Sequence, residues 1–275
     1  MRLVGRVSLR HVAGATAISL AALAMGATPA VAADATVTVV HGIPATPVDV
    51  YVDDAVAIPN FQYETVTTTS LPEGPHTLDI RPAGADPASD PILTADADLA
   101  SGGNYSVVAH LTEAGEPSLT LFTNPTARTP EGQAGVTARH TAAAPAVDLR
   151  ANGAVVAAGL TNPNETSLFV PAGTISADIV LAGTSTVAIG PVDLNLVAGT
   201  RYIGYAVGNA EAGYKLLLQP YEVGQSSSAA PHSVPSGDGS SAGTTPWAAV
   251  ALVGLGLVVI TVTAGSALRR RTSVS

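Results

Sequence analysis

One feature constrains this chain more than any other: a stretch of about ninety residues occurs twice. His41-Gly-Ile-Pro-Ala-Thr-Pro-Val-Asp49-Val recurs as His140-Thr-Ala-Ala-Ala-Pro-Ala-Val-Asp148-Leu, so histidine and Val-Asp keep their relative places at an offset of ninety-nine residues. The same offset pairs Leu71-Pro72-Glu73-Gly74 with Val170-Pro171-Ala172-Gly173, and Asp79-Ile80 with Asp178-Ile179. Leu99 to Tyr105 then matches Leu196 to Tyr202 after a shift of two residues. Anchors in one order imply two homologous domains, placed at 36–127 and 134–223.

Each copy has the pattern of β structure. Val48-Asp49-Val50-Tyr51-Val52 alternates as a strand with one buried face requires. Runs at 66–69, 77–81, 105–111 and 119–122 are rich in β-branched and aromatic residues. Runs at 147–149, 166–170, 175–181, 202–207 and 215–218 occupy corresponding places. Proline and glycine punctuate them, and Gly74 and Gly173 can take the positive φ that a turn after proline demands. The expected fold class is all-β: two tandem antiparallel β-sandwich domains, immunoglobulin-like or prealbumin-like, followed by one C-terminal transmembrane helix.

The flanks have their own logic. Arg2, Arg6 and Arg10, the apolar run 12–25, and Ala30-Val31-Ala32 are the parts of an export signal, placed at 1–33 with cleavage expected after Ala32 or Ala33. Residues 224–246 are dominated by Ser, Gly, Ala, Pro and Thr, which bury too little apolar surface to offset ordering entropy, and read as a flexible linker. From Trp247 to Leu268 no charge interrupts the run. As a helix it would be about 33 Å long, enough for a hydrocarbon core of about 30 Å. Arg269, Arg270 and Arg271 follow at once, so residues 269–275 are expected in the cytoplasm and the repeats outside. No Leu-Pro-x-Thr-Gly sorting motif precedes the span. The predicted location is thus the cell membrane, single-pass, with an N-terminal ectodomain.

Composition narrows the functions. Cysteine is absent, which excludes disulfides, thiolate metal sites and a cysteine nucleophile. Without the two arginine clusters the middle keeps six bases against twenty-one acids, near −15, a balance that repels nucleic acid. Within the two repeats neither Gly-x-Ser-x-Gly nor His-Glu-x-x-His occurs, nor a phosphate-binding or dinucleotide-binding glycine loop. No catalytic residue and no cofactor is predicted.

A histidine followed by a Pro/Ala-rich stretch and Val-Asp-Val-Tyr-Val-Asp-Asp, with a later Pro-Glu-Gly-Pro-His and Gly-Gly-Asn-Tyr-Ser-Val-Val, resembles the bacterial domain of unknown function 4397. The second copy keeps the His, Ala/Pro, Val-Asp pattern but has Leu149-Arg150-Ala151 in place of Val50-Tyr51-Val52. The resemblance implies an exported protein with a β-sandwich fold and no established activity. The Ala-rich composition and the stop-transfer tail are similar to actinobacterial surface proteins.

Candidate sites follow from the repeated motif. His41, Asp49, Gly74, His140, Asp148 and Gly173 read as structural, each histidine ending a first strand and bonding backbone. Asp49, Asp53 and Asp54, with Asp86, Asp90, Asp96 and Asp98, could offer oxygens to calcium, but solvated acidic loops account for them better and no metal is predicted. Tyr51, Phe61 and Tyr63 are candidates for a sugar-stacking platform, as is the group Tyr202, Tyr205, Tyr214 and Tyr221; packing is the competing use. The leading function is a noncatalytic binding or structural module of the bacterial envelope that contacts cell-wall polymer or another surface protein. An accessory subunit of a membrane transport or signalling complex is the alternative, and an extracellular hydrolase is the reading the residues support least.

Overall fold

The computed structural model of the chain describes residues 32–44 and 47–225. Nearly all of the signal segment and of the linker, the apolar span 247–268 and the tail lie outside those residues. Among the described residues no helix is long and apolar enough to cross a membrane.

Among the described residues the fold is all-β, with sixteen strands in two units of eight. The first holds β1 (Ala35–His41), β2 (Val48–Val52), β3 (Ala55–Phe61), β4 (Val66–Leu71), β5 (Gly74–Pro82), β6 (Leu93–Leu99), β7 (Asn104–Leu111) and β8 (Pro117–Thr123). The second repeats the series as β9 (Gln133–His140), β10 (Val147–Ala151), β11 (Ala154–Leu160), β12 (Glu165–Pro171), β13 (Gly173–Leu181), β14 (Val187–Leu196), β15 (Thr200–Asn209) and β16 (Gly213–Glu222). In the first unit the sheets run β4-β1-β7-β8 and β3-β2-β5-β6; in the second, β12-β9-β15-β16 and β11-β10-β13-β14. The topology is the same strand for strand.

The expectation of purely antiparallel sheets needs correction. β1 pairs with β4 antiparallel but with β7 parallel, and β9 pairs likewise with β12 and β15. The first strand of each unit is inserted between a neighbour and the seventh strand, which the chain reaches only after crossing to the other sheet and back. Such a connection permits parallel pairing, whereas hairpins do not.

Four strands were absent from the sequence pattern: β3, β6, β11 and β14, all edges of their sheets. β3 carries Pro59, and six of its seven residues lie outside the core. β6, Leu-Thr-Ala-Asp-Ala-Asp-Leu, turns Asp96 and Asp98 outward while Ala97 and Leu99 face inward. The two aspartates therefore stand on a strand and not in an acidic loop, while Asp86 and Asp90 lie between strands. The two-residue shift between copies falls here too: the β5–β6 connection spans 83–92, the β13–β14 connection only 182–186.

Each unit has its own core between its sheets. Val37, Val39, Val50, Leu78, Ile80, Leu99 and Val107 form the first. Val147, Ile179, Ile189, Leu194, Leu196 and Tyr202 belong to the second. A third apolar cluster joins Val40, Val66 and Val108 of the first unit to Ile203, Tyr205, Val207 and Leu217 of the second. It explains why β7 and β15 are buried along almost their whole length: one face packs on the strand's own core and the other on the opposite repeat.

Candidate functional site

The repeated aspartates are backbone staples. Asp49 Oδ1 accepts the Asn60 N–H at 2.7 Å and Oδ2 accepts the Gly84 N–H at 2.9 Å. Asp148 does the same ninety-nine residues later, accepting from Gly159 at 2.8 Å and Gly183 at 2.9 Å. Asn60 and Gly159 both have positive φ, 51° and 67°, beside the place where the edge strand slips register against its neighbour. Each carboxylate thus holds a bulged edge strand and a turn to the second strand of its unit. The N–H groups of Gly183 and then Gly159 hold the Asp148 carboxyl below the usual carboxylate range.

The repeated histidines end their strands as well. His140 Nε2 lies 2.9 Å from the Pro145 carbonyl. His41 Nδ1 receives the Ile43 N–H at a long 3.4 Å, and its ring stacks on Phe61 at 5.8 Å. Gly74 and Gly173 stand at φ 121° and 137°, where a side chain would be strained, as the chain passes from one sheet to the other.

The proposed sugar platform is not assembled. Tyr51 is 3% exposed and Phe61 4%, so neither offers an open ring face. The Arg81 guanidinium covers Tyr51 at 4.4 Å from the ring centre. Tyr63 lies partly buried at the junction of the repeats, and its burial pushes the phenol up to about 12. In the second group Tyr202 and Tyr205 are buried. Their rings are used in packing.

Two polar constellations remain. The first lies in the junction between repeats. Arg139 is 1% exposed and directs its guanidinium three ways: Nε donates to Glu165 at 2.7 Å, Nη1 to the Tyr205 hydroxyl at 3.1 Å and Nη2 to Asn124 Oδ1 at 2.8 Å. Its plane lies 4.2 Å from the Phe122 ring centre. Tyr205 continues the network to Ser106 Oγ at 2.7 Å and to Gln219 Oε1, and Gln219 Nε2 donates to Thr38 Oγ1 at 2.8 Å. Thr38, Ser106 and Asn124 belong to the first repeat and its exit; Arg139, Tyr205 and Gln219 belong to the second. Thr38 and Ser106 of the first repeat bond to Gln219 and Tyr205 of the second, which fixes the mutual register of the repeats as apolar contact alone would not. Sequence reasoning missed this network because Thr38, Ser106, Arg139 and Gln219 sit at alternate strand positions that read as solvent-facing. The available signal was β15, where Tyr202 to Val207 leaves neither face polar.

The second is a recess on the first repeat lined by Asp53, Pro75, His76, Thr77, Asp96, Ala97 and Asp98. His76 Nδ1 is 2.7 Å from Asp53 Oδ2 and Nε2 is 2.9 Å from the Pro72 carbonyl. Both partners are acceptors, so the ring satisfies both only as imidazolium. Bonding to Asp53 first, then to Pro72, raises the His76 pKa. The Thr77 N–H and His76 lower that of Asp53. The second repeat has Asn152 and Ile175 at the matching places, so it keeps the turn bond, Ser176 N–H to Asn152 at 3.0 Å, and loses the ion pair. Among the described residues no three acidic or imidazole groups converge to hold a metal ion.

The histidines titrate in opposite senses. A raised folded pKa means that the His76 contribution is complete below the unfolded value of about 6.5 and is lost as pH rises through the folded value. Burial lowers the pKa of His110 and His140, so what their neutral forms contribute is present above about 6.5 and lost as pH falls toward their folded values. The His76→Gln variant should therefore lose more stability at pH 5.5 than at pH 9 in urea unfolding. An equal loss at both would contradict the imidazolium assignment.

Residues 35–150 match the family model of a domain of unknown function, DUF4397, which spans the first repeat and reaches β10 of the second. No curated protein matches the chain. Among solved structures, the Bacillus anthracis TIE protein is similar at 10% identity with a TM-score of 0.21. That likeness covers 64% of this chain and 33% of that one, so the chain spans about a third of its length. CBMbc, a family CBM26 module of Eubacterium rectale Amy13K in complex with maltoheptaose, is similar at 10% identity and a TM-score of 0.21, over 69% of this chain and 96% of that one.

Proposed function

We propose that this protein is a noncatalytic binding or structural module of the bacterial envelope, with two copies of the DUF4397-type domain outside the membrane and cell-wall polymer or another surface protein as its partner. The observation that carries this reading is how the polar side chains are used. Arg139, Tyr205, Gln219, Ser106 and Asn124 are spent on locking one repeat to the other. Asp49 and Asp148 are spent on backbone staples, and His110 and His140 are buried among carbonyl and hydroxyl partners. Such a molecule presents two fixed faces at constant spacing, which suits a support or a bivalent binder. The export signal, linker and apolar span read from the sequence would hold it outside the cell at the end of a flexible stalk of roughly 25–30 Å.

Cosedimentation of residues 34–245 with purified wall sacculi tests the polymer half of this proposal, in calcium and again in chelator. Saturable, salt-resistant binding is expected if wall polymer is the partner, and calcium dependence would point to the acidic recess around Asp96 and Asp98. Absence of binding in both conditions would remove the polymer and leave a protein partner, to be sought by crosslinking.

A further inference from the structure

The second repeat contains an apolar cavity that the first has filled. Two facing pairs of residues account for it. In the first unit Val39 stands beside Val107 on one sheet, and Val52 beside Leu78 on the other. At the same register places the second unit has Ala138 beside Gly204, and Ala151 beside Ala177. All four of the smaller residues line one space between the sheets, of about 80 Å³. Leu168 and Leu194, in place of Thr69 and Ala97, return some bulk at the margin and line the same space without closing it. Core packing ordinarily leaves few voids larger than a water, and each lost methylene is felt. Coordinated truncation on both sheets, at positions where the sister domain shows that larger side chains fit, is what a ligand cavity requires.

The lining also defines the occupant. Its polar side chains are already engaged: Thr137 Oγ1 with Ser167 Oγ at 2.7 Å, and Arg150 with Asp178 through a two-pronged ion pair. A buried water needs two to four polar partners, and these walls have none to spare. A charged head group would have to break the Arg150–Asp178 pair. An apolar cavity of about 150 Å³ admits benzene, so roughly half that room is too narrow for an aromatic ring and suits a single file of methylenes. Val156, on the edge strand β11 and 45% exposed, lines the cavity and places its opening at that edge. We infer that the second repeat binds the end of an uncharged, unbranched alkyl chain, inserted between its sheets past β11.

The test is methyl NMR of the full chain with labelled Ala, Leu and Val, titrated with 1-hexanol and, separately, with benzene. Saturable shifts confined to the methyls that line the cavity, among them Ala138, Ala151, Val156, Ala177 and Leu194, are expected with hexanol, and none with benzene. A second arm uses phosphatidylcholine vesicles with a nitroxide at the acyl terminus. Broadening of those same methyls would identify a membrane lipid as the source of the chain, and response to hexanol alone would identify a soluble one. Gly204→Val restores the residue of the first repeat. A Cβ there meets only the tip of the Leu216 side chain, Cδ1 at 3.2 Å, so the variant should fold, with hexanol affinity at least tenfold weaker. Ala177→Leu fills the opposite wall and serves if Gly204→Val does not fold. Absence of saturable shifts in the unaltered chain, benzene binding as well as hexanol, or full affinity in a folded filled variant would overturn the assignment.

Discussion

Arg139→Ala is expected to destabilise the protein by about 3–5 kcal/mol, the range for removing one member of a buried ionic network. The residue is 1% exposed, whereas the Glu165 side chain is 35% exposed. Glu165 can therefore recover hydration once its partner is gone, and the larger part of the loss falls elsewhere. Asn124 Oδ1 keeps only the Ser106 hydroxyl at 3.1 Å, the Tyr205 hydroxyl loses its guanidinium donor, and Phe122 loses the plane stacked on it. Arg139→Lys should restore little, because a single ammonium cannot reach Glu165, Tyr205 and Asn124 together as a planar fork does. Urea unfolding of the three proteins at one pH gives the comparison. A cost below about 1 kcal/mol for Arg139→Ala would mean that the repeats are held by the apolar cluster and that the polar network is incidental.

Leu78→Ala should cost about 2–5 kcal/mol, the span measured for truncations that leave a cavity. Leu78 is 1% exposed and shares the core of the first repeat with Val50 and Ile80. The substitution places in that repeat the residue which the second already has at position 177. Its interest lies in the contrast: the first unit is filled where the second is open, and the reciprocal Ala177→Leu is expected to leave stability unchanged or higher, since it occupies existing space. Should Leu78→Ala prove neutral, the first core would have to collapse around the gap, and the difference between the two interiors would carry no energetic meaning.

Much of the architecture could be read from residue order. The ninety-nine residue offset pointed to two units of the same strand order. Tyr105 to Leu111 and Tyr202 to Val207 were legible as strands because β-branched and aromatic residues crowd there. Gly74 and Gly173 were legible as turn glycines because proline two residues earlier restricts the chain. The edge strands were not. Ala55-Val-Ala-Ile-Pro-Asn-Phe61 contains a proline, and a strand with one neighbour and little burial needs no periodic pattern. The aspartates of β6 resemble a loop because only their alternation with Ala97 and Leu99, not their composition, marks them as outward-facing.

The sequence by itself determined what depends on local order and on comparison of the chain with itself: two equivalent β units, the turns between their strands, and the residues that recur as staples. Tertiary structure alone decided what depends on which surfaces meet. Parallel pairing of β1 with β7 joins residues nearly seventy positions apart in sequence, as Thr36 with Asn104, and no local spacing records it. The junction of the repeats sets Thr38 against Gln219, and a hydroxyl on a strand looks the same in sequence whether it faces water or another domain. The cavity of the second repeat is likewise a sum over Ala138, Ala151, Ala177 and Gly204, each unremarkable alone, because packing is a property of side chains brought together from distant strands.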